Sequence, residues 1–136
     1  MTNQETVLAF IRSINAHDVE GLGELMSDNH RFIDALGNAV AGKETMITGW
    51  RGYFEWFPDY WIEVNEVFTG EASAVEQTFA MFGFAGGSFK GSSDANWRIP
   101  AAWKAIVIDG RVAVWQVFAD TKIQFEIIER GSGQIE

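Results

Sequence analysis

Cysteine is absent from the 136 residues, which removes disulfides, thiolate nucleophiles and cysteine-ligated zinc. Histidine is scarce: His17 and His30 stand thirteen residues apart, too sparse for a histidine-rich metal site. Basic residues are few, ten Lys and Arg against nineteen Asp and Glu, and they are scattered singly. A formal charge of −9 argues against nucleic acid or an anionic membrane as partner, because phosphates attract basic surfaces. No apolar run approaches the roughly 18 residues of a membrane span. The opening Met-Thr-Asn-Gln-Glu lacks the basic-then-apolar order of a secretory signal, and a cytoplasmic location is expected.

What the chain has in quantity is aromatic: eleven Phe, six Trp and two Tyr. Aromatic side chains fill cores by default, but this many in one small domain also suits a large apolar cavity or a broad subunit interface. The length fits a single domain, assigned to residues 1–130, with a frayed tail over residues 131–136. Hydrophobic residues at 47% and charged residues at 21% are ordinary globular values.

From Thr2 to Ala16, Val7, Phe10, Ile11 and Ile14 recur on one helix face, and Thr2 with Glu5 has the form of a capping box. Asp18 reads as the N-cap of a shorter helix with Val19, Leu22, Leu25 and Met26 on its buried side, weakened by Gly21 and Gly23. Ser27-Asp28-Asn29 breaks the pattern, and Arg31 to Leu36 alternates with Phe32, Asp34 and Leu36 on one side. Gly37-Asn38 reads as a tight turn into Ala39-Val-Ala. A third helix carries Met46, Ile47, Trp50, Phe54 and Phe57 and stops at Pro58-Asp59.

Beyond Pro58 the period becomes alternating. Trp61 to Thr69, Ala74 to Phe84 and Trp97 to Ile108 read as strands, with Gly86-Gly87 as a flexible turn and Pro100 at a bulge or an edge. Asp109-Gly110 is a type I′ hairpin signal leading into Val112–Ala119, and Lys122 to Ile128 forms a last short element. Helices followed by a long antiparallel sheet make an α+β arrangement with the helices on one face. Val112, Val114 and Phe118 should lie on one side of the last strand and Trp115, Val117 and Ala119 on the other. Both sides are apolar, so one should face the interior and the other a second copy in a homodimer.

Asp34 sits among apolar residues ahead of a glycine. It reads either as a general base kept in an apolar surround or as a turn-capping carboxylate bonded to backbone amides. His30 lies close to it in sequence. Arg98 and Lys104 could polarise a ligand oxygen if they faced inward, and Trp97, Trp103 and Trp115 could line a pocket and donate indole N–H groups.

Three features together carry a resemblance to a known family. Phe-Ile-Asp-Ala-Leu-Gly follows the first helices, Gly-Lys-Glu precedes an aromatic helix ending Trp56-Phe-Pro-Asp-Tyr60, and the chain from Trp103 to Asp120 forms a hairpin with Asp109-Gly110 at its tip. In these the chain resembles the nuclear transport factor 2-like superfamily, and within it the SnoaL-like domains. The resemblance implies a cystatin-like cone, three N-terminal helices packed on a strongly curved antiparallel sheet, enclosing a pocket for a small apolar or aromatic ligand.

Asp34 matches the general-base position of ketosteroid isomerase, while Phe10 and Ala102 stand where that enzyme's oxyanion donors would be. Val117 replaces one of the acids of limonene epoxide hydrolases. Asp120 resembles the acidic residue near the end of the last long strand in SnoaL-like polyketide cyclases. The catalytic pair expected on this basis is Asp34 and Asp120. Phe10, Ile14, Phe32, Tyr53 and Trp56 are expected to line the pocket from the first half of the chain, and Trp97, Ala102, Trp103, Trp115 and Val117 from the second. The implied activity is acid/base cyclisation or isomerisation of a carbonyl-bearing substrate, chemistry that requires neither a metal nor an organic cofactor. The alternative is a ligand-binding or protein-association module without chemistry.

Overall fold

Thr2 and Glu5 close the expected capping box, with the Glu5 amide donating to Thr2 Oγ1 at 3.1 Å and the Thr2 amide to Glu5 Oε1 at 3.4 Å. The helix they start, α1 (Asn3–Ala16), buries Thr6, Val7, Phe10, Ile11 and Ile14. It ends at His17 in the left-handed conformation, and Asp18 then caps α2 (Val19–Leu25) through the Gly21 amide at 2.9 Å. The computed structural model describes residues 1–133, with side chains described to Arg130.

Strand β1 (Met26–Ile33) begins directly at Met26, so Ser27-Asp28-Asn29 lies inside a strand rather than breaking one. Its ladder is irregular between Met26 and Arg31, which is how three polar residues are accommodated. The strand ends at Ile33, and the turn into β2 (Ala39–Ala41) spans Asp34 to Asn38 instead of the two residues Gly37-Asn38. Alternation therefore stops before Asp34, and Leu36, expected to be buried, is 68% exposed. Helix α3 (Lys43–Trp56) follows, with Met46, Trp50 and Phe54 buried.

Strands β3 (Trp61–Thr69), β4 (Glu76–Ser88), β5 (Asn96–Ile108) and β6 (Arg111–Ala119) form an antiparallel run. Strand β4 continues through Gly86 and Gly87, which are paired and buried, not a flexible turn. A Cβ at Gly86 would lie 2.5 Å from the Trp61 ring, so glycine is there because an indole packs onto the backbone. Asp109 and Gly110 both have positive φ, 50° and 77°, as the type I′ turn requires. The β5–β6 ladder reaches Ala101↔Ala119 and stops one residue short of Pro100, so the missing N–H breaks no pair with β6.

The sheet order is β2-β1-β6-β5-β4-β3. It is mixed, because β1 runs parallel to β6; the two strands meet through a long connection that no local turn signal announces. Irregularities between Val64 and Glu66 and between Ile106 and Val107 bend the strands toward one side. The second of these places Val112, buried with Trp115, on the inner face instead of with Val114 and Phe118. A fourth helix, α4 (Lys122–Gly133), extends the last expected element well into the presumed tail; residues 134–136 lie outside the described residues. No helix among the described residues is long and apolar enough to cross a membrane.

Candidate functional site

A cavity of about 520 Å³ lies between the inner face of the sheet, α3, the Asp34–Asn38 turn and α4. The sheet contributes Phe32, Trp97, Ile99, Ala101, Trp115 and Val117, helix α3 contributes Met46, Trp50, Tyr53 and Trp56, and α4 contributes Gln124, Phe125 and Ile128. The aromatic rings form a continuous wall. Phe32 meets Trp50 edge-on at 6.0 Å, Tyr53 stands perpendicular to Tyr60 at 4.9 Å, and Phe57 meets Trp97 edge-on at 5.4 Å. Such edge-to-face contacts fix ring orientation as well as burying area, so the wall is set before any ligand arrives.

Polar side chains interrupt this wall, among them Trp50, Trp97, Tyr53 and Tyr60. The indole nitrogens of Trp50 and Trp97 are buried and have no hydrogen-bond partner among the described residues, and a buried donor left unpaired costs about 1–3 kcal/mol. The Tyr53 hydroxyl accepts from Gln124 Nε2 at 2.7 Å. Tyr60 lies beside it, and burial pushes both phenols upward, for Tyr53 only partly offset by the Gln124 hydrogen bond. Both therefore stay neutral at any working pH. Among the described residues Asp34 is the one charged residue lining the cavity, and no Lys, Arg or His lines it. No group of three or more metal-ligating residues occurs among the described residues.

Asp34 is half-buried in the turn, and its Oδ1 accepts from the Leu36 and Asn38 amides, both at 2.9 Å. The turn-capping role is thus present. Those two bonds hold the carboxylate in one orientation at the cavity's edge and leave Oδ2 without a partner among the described residues. Asp120 is exposed beyond the end of β6, where its Oδ1 accepts from the Lys122 amide at 3.1 Å. It does not line the cavity, because strict alternation from Trp115 turns it outward and no bulge intervenes.

Of the expected lining residues, Phe32, Tyr53, Trp56, Trp97, Trp115 and Val117 line the cavity. Phe10 and Ile14 do not: they are fully buried on α1, where Phe10 packs on Trp115 at 4.8 Å. Trp103 is on the inner face but buried outside the cavity, and Ala102 lies on the outer face between Phe82 and Phe118 in register. Arg98 also points outward and stacks on Phe84 at 3.9 Å, and Lys104 shares that face. His30 is completely buried, its Nδ1–H donating to the Val112 carbonyl at 2.7 Å, and it is absent from the cavity wall. Burial lowers its pKa, partly countered by that hydrogen bond.

Sequence reading missed Trp50 and Gln124 as site residues. Trp50 falls within the regular apolar stripe of α3, so its periodicity signals only burial. Gln124 carries no signal of its own, since its role depends on a tyrosine far away in the chain.

Several solved structures share the fold. A putative SnoaL-like polyketide cyclase from Shewanella denitrificans superposes with a TM-score of 0.76 at 14% identity, over 94% of this chain and 97% of that one. One from Jannaschia sp. gives a TM-score of 0.72 at 24% identity, over 93% and 90%. A putative scytalone dehydratase from Novosphingobium aromaticivorans gives 0.74 at 11%, over 86% and 80%. No curated protein matches the chain. The model of the SnoaL-like domain family matches residues 7–126, and the chain, with its α+β fold, belongs to that family.

Proposed function

We propose that the cavity binds a neutral aromatic molecule bearing a carbonyl oxygen, and that Asp34 acts on it as a general base. The observation that carries this reading is the pair of unpartnered indole N–H groups, Trp50 and Trp97, in an otherwise apolar wall. Both residues line the cavity, and a side-chain adjustment that brought either N–H to a ligand oxygen would satisfy a donor that is costly to leave unmet, while the absence of cations from the lining among the described residues favours a neutral acceptor over a carboxylate. Asp34 Oδ2 would remove a proton from a carbon next to the carbonyl, the electron pair moving to the oxygen, where the indoles stabilise the enolate. Return of the proton to another carbon is isomerisation, and attack of the enolate carbon on a second carbonyl is cyclisation.

A carrier without chemistry is the second reading, favoured by the Asp34 Oδ1 contacts, which give the carboxylate a structural use of its own. Asp34→Asn separates the two, because the amide retains an acceptor oxygen for the turn while losing the base. Against a panel of aromatic ketones the substitution should lower turnover by about 10²–10⁴-fold and leave binding within about two-fold. Binding without turnover in the unmodified protein would establish the carrier instead.

The same proposal extends to assembly. Phe68, Phe82 and Phe118 stand on the outer face of the sheet at 54%, 46% and 49% exposure, and a second copy of the chain is the partner we assign to that face.

A further inference from the structure

Helix α4 lines the cavity opposite α3, and among the described residues one side-chain hydrogen bond joins them, from Gln124 Nε2 to the Tyr53 hydroxyl. A phenol has one proton and two lone pairs. When an amide N–H occupies a lone pair, the proton is left to donate elsewhere, and accepting a bond polarises the O–H further. Among the described residues the Tyr53 hydroxyl has no acceptor for that proton, although Tyr53 lines the cavity. Tyr53 thus joins Trp50 and Trp97 as a third donor in an apolar wall, and its protonated state is secured by burial.

We propose that Gln124 is a positioning residue: by donating to Tyr53 it turns the phenol into a committed donor toward a ligand oxygen and makes α4 the element that selects for that oxygen. This inference rests on the reading of the cavity as a site for an oxygen-bearing aromatic molecule. It adds a donor assembled from two helices, present only when α4 is docked. Glutamine suits the role because a carboxylate in its place would accept the Tyr53 proton and withdraw it from the ligand.

The test compares 9-fluorenone with fluorene, which differ by one carbonyl oxygen, by tryptophan-fluorescence titration at pH 8. The unmodified protein should prefer the ketone by about 10-fold or more, one to two hydrogen bonds' worth. Tyr53→Phe and Gln124→Glu should each reduce that preference by about 5- to 10-fold. The double variant should lose no more than either alone, and fluorene affinity should stay within about two-fold throughout. Gln124→Met, which keeps the packing of α4 and removes the donation, should also reduce the preference.

A preference unchanged in both Gln124 variants overturns the proposal, as does a parallel fall in fluorene affinity, which would mark Gln124 as packing only. A preference retained in Tyr53→Phe but lost in Trp50→Phe and Trp97→Phe removes this inference while leaving the indole reading in place. No preference in the unmodified protein removes both.

Discussion

Strands β5 and β6 present two apolar faces that differ in one respect. The inner face carries Trp97, Trp103 and Trp115, and two residues of the cavity wall, Trp50 and Trp97, hold buried N–H groups that nothing among the described residues satisfies. The outer face carries Ala102 flanked in register by Phe82 and Phe118, carbon surface with the polar groups of Lys104 and Gln116 free to reach water. Hydrophobicity alone cannot say what covers a face; stranded polar atoms can. On the reading proposed above, the inner face takes a molecule with acceptors, whereas the outer face takes only another apolar surface.

The sharpest contrast is between Trp115 and Phe118 on one strand. Trp115→Ala should cost about 3–5 kcal/mol in urea unfolding, whatever the protein concentration, because the ring is buried against Phe10. Phe118→Ala should cost less than about 1 kcal/mol in dilute solution, with a deficit that grows with concentration, since a dimer is stabilised by mass action. Equal, concentration-independent costs would erase the distinction between the faces.

Next in size is assembly. Phe82→Glu combined with Phe118→Glu should weaken self-association by at least about 100-fold, seen by sedimentation velocity as a monomer at micromolar concentration with an unchanged circular dichroism spectrum. If the unmodified protein already sediments as a monomer, the outer face has no second copy.

The smallest effect concerns His30, sealed behind the inner face. Its folded pKa lies below the model-peptide value of 6.5, so below that pH the unfolded chain binds more protons than the folded one and stability rises with pH. The contribution is full above about pH 6.5 and is lost progressively as pH falls toward the depressed folded value. His30→Asn, which keeps a donor toward Val112, should flatten that part of the stability curve; an unchanged slope would assign the pH dependence to other groups.

Much of the fold was legible because its signals are local. The Thr2–Glu5 capping box and the Asp109-Gly110 turn each involve neighbours whose chemistry acts within a few residues, and the fold class followed from the change of period after Pro58. What escaped depends on residues distant in the chain. Gly86 and Gly87 looked like a loop because the indole of Trp61 that requires a bare backbone is not adjacent. The parallel pairing of β1 with β6 has no turn to announce it. Asp34 does line the cavity, but the argument from alternation was unsound there, since β1 had already ended at Ile33. Asp120 and Ala102 were assigned from the family resemblance, and alternation from Trp115 and from Trp103 sends both outward.

The irregularity around Ala113 has a further consequence. One supernumerary residue lets the amino-terminal end of β6 hold His30 through the Val112 carbonyl while the rest of the strand turns Trp115 toward the cavity. Scaffold and cavity wall are thus spliced within a single strand. Deleting Ala113 would make the ladder regular, keep Val112 and Trp115 on the inner face by simple alternation, and remove the local bend that the extra residue imposes on the end of β6 that holds His30.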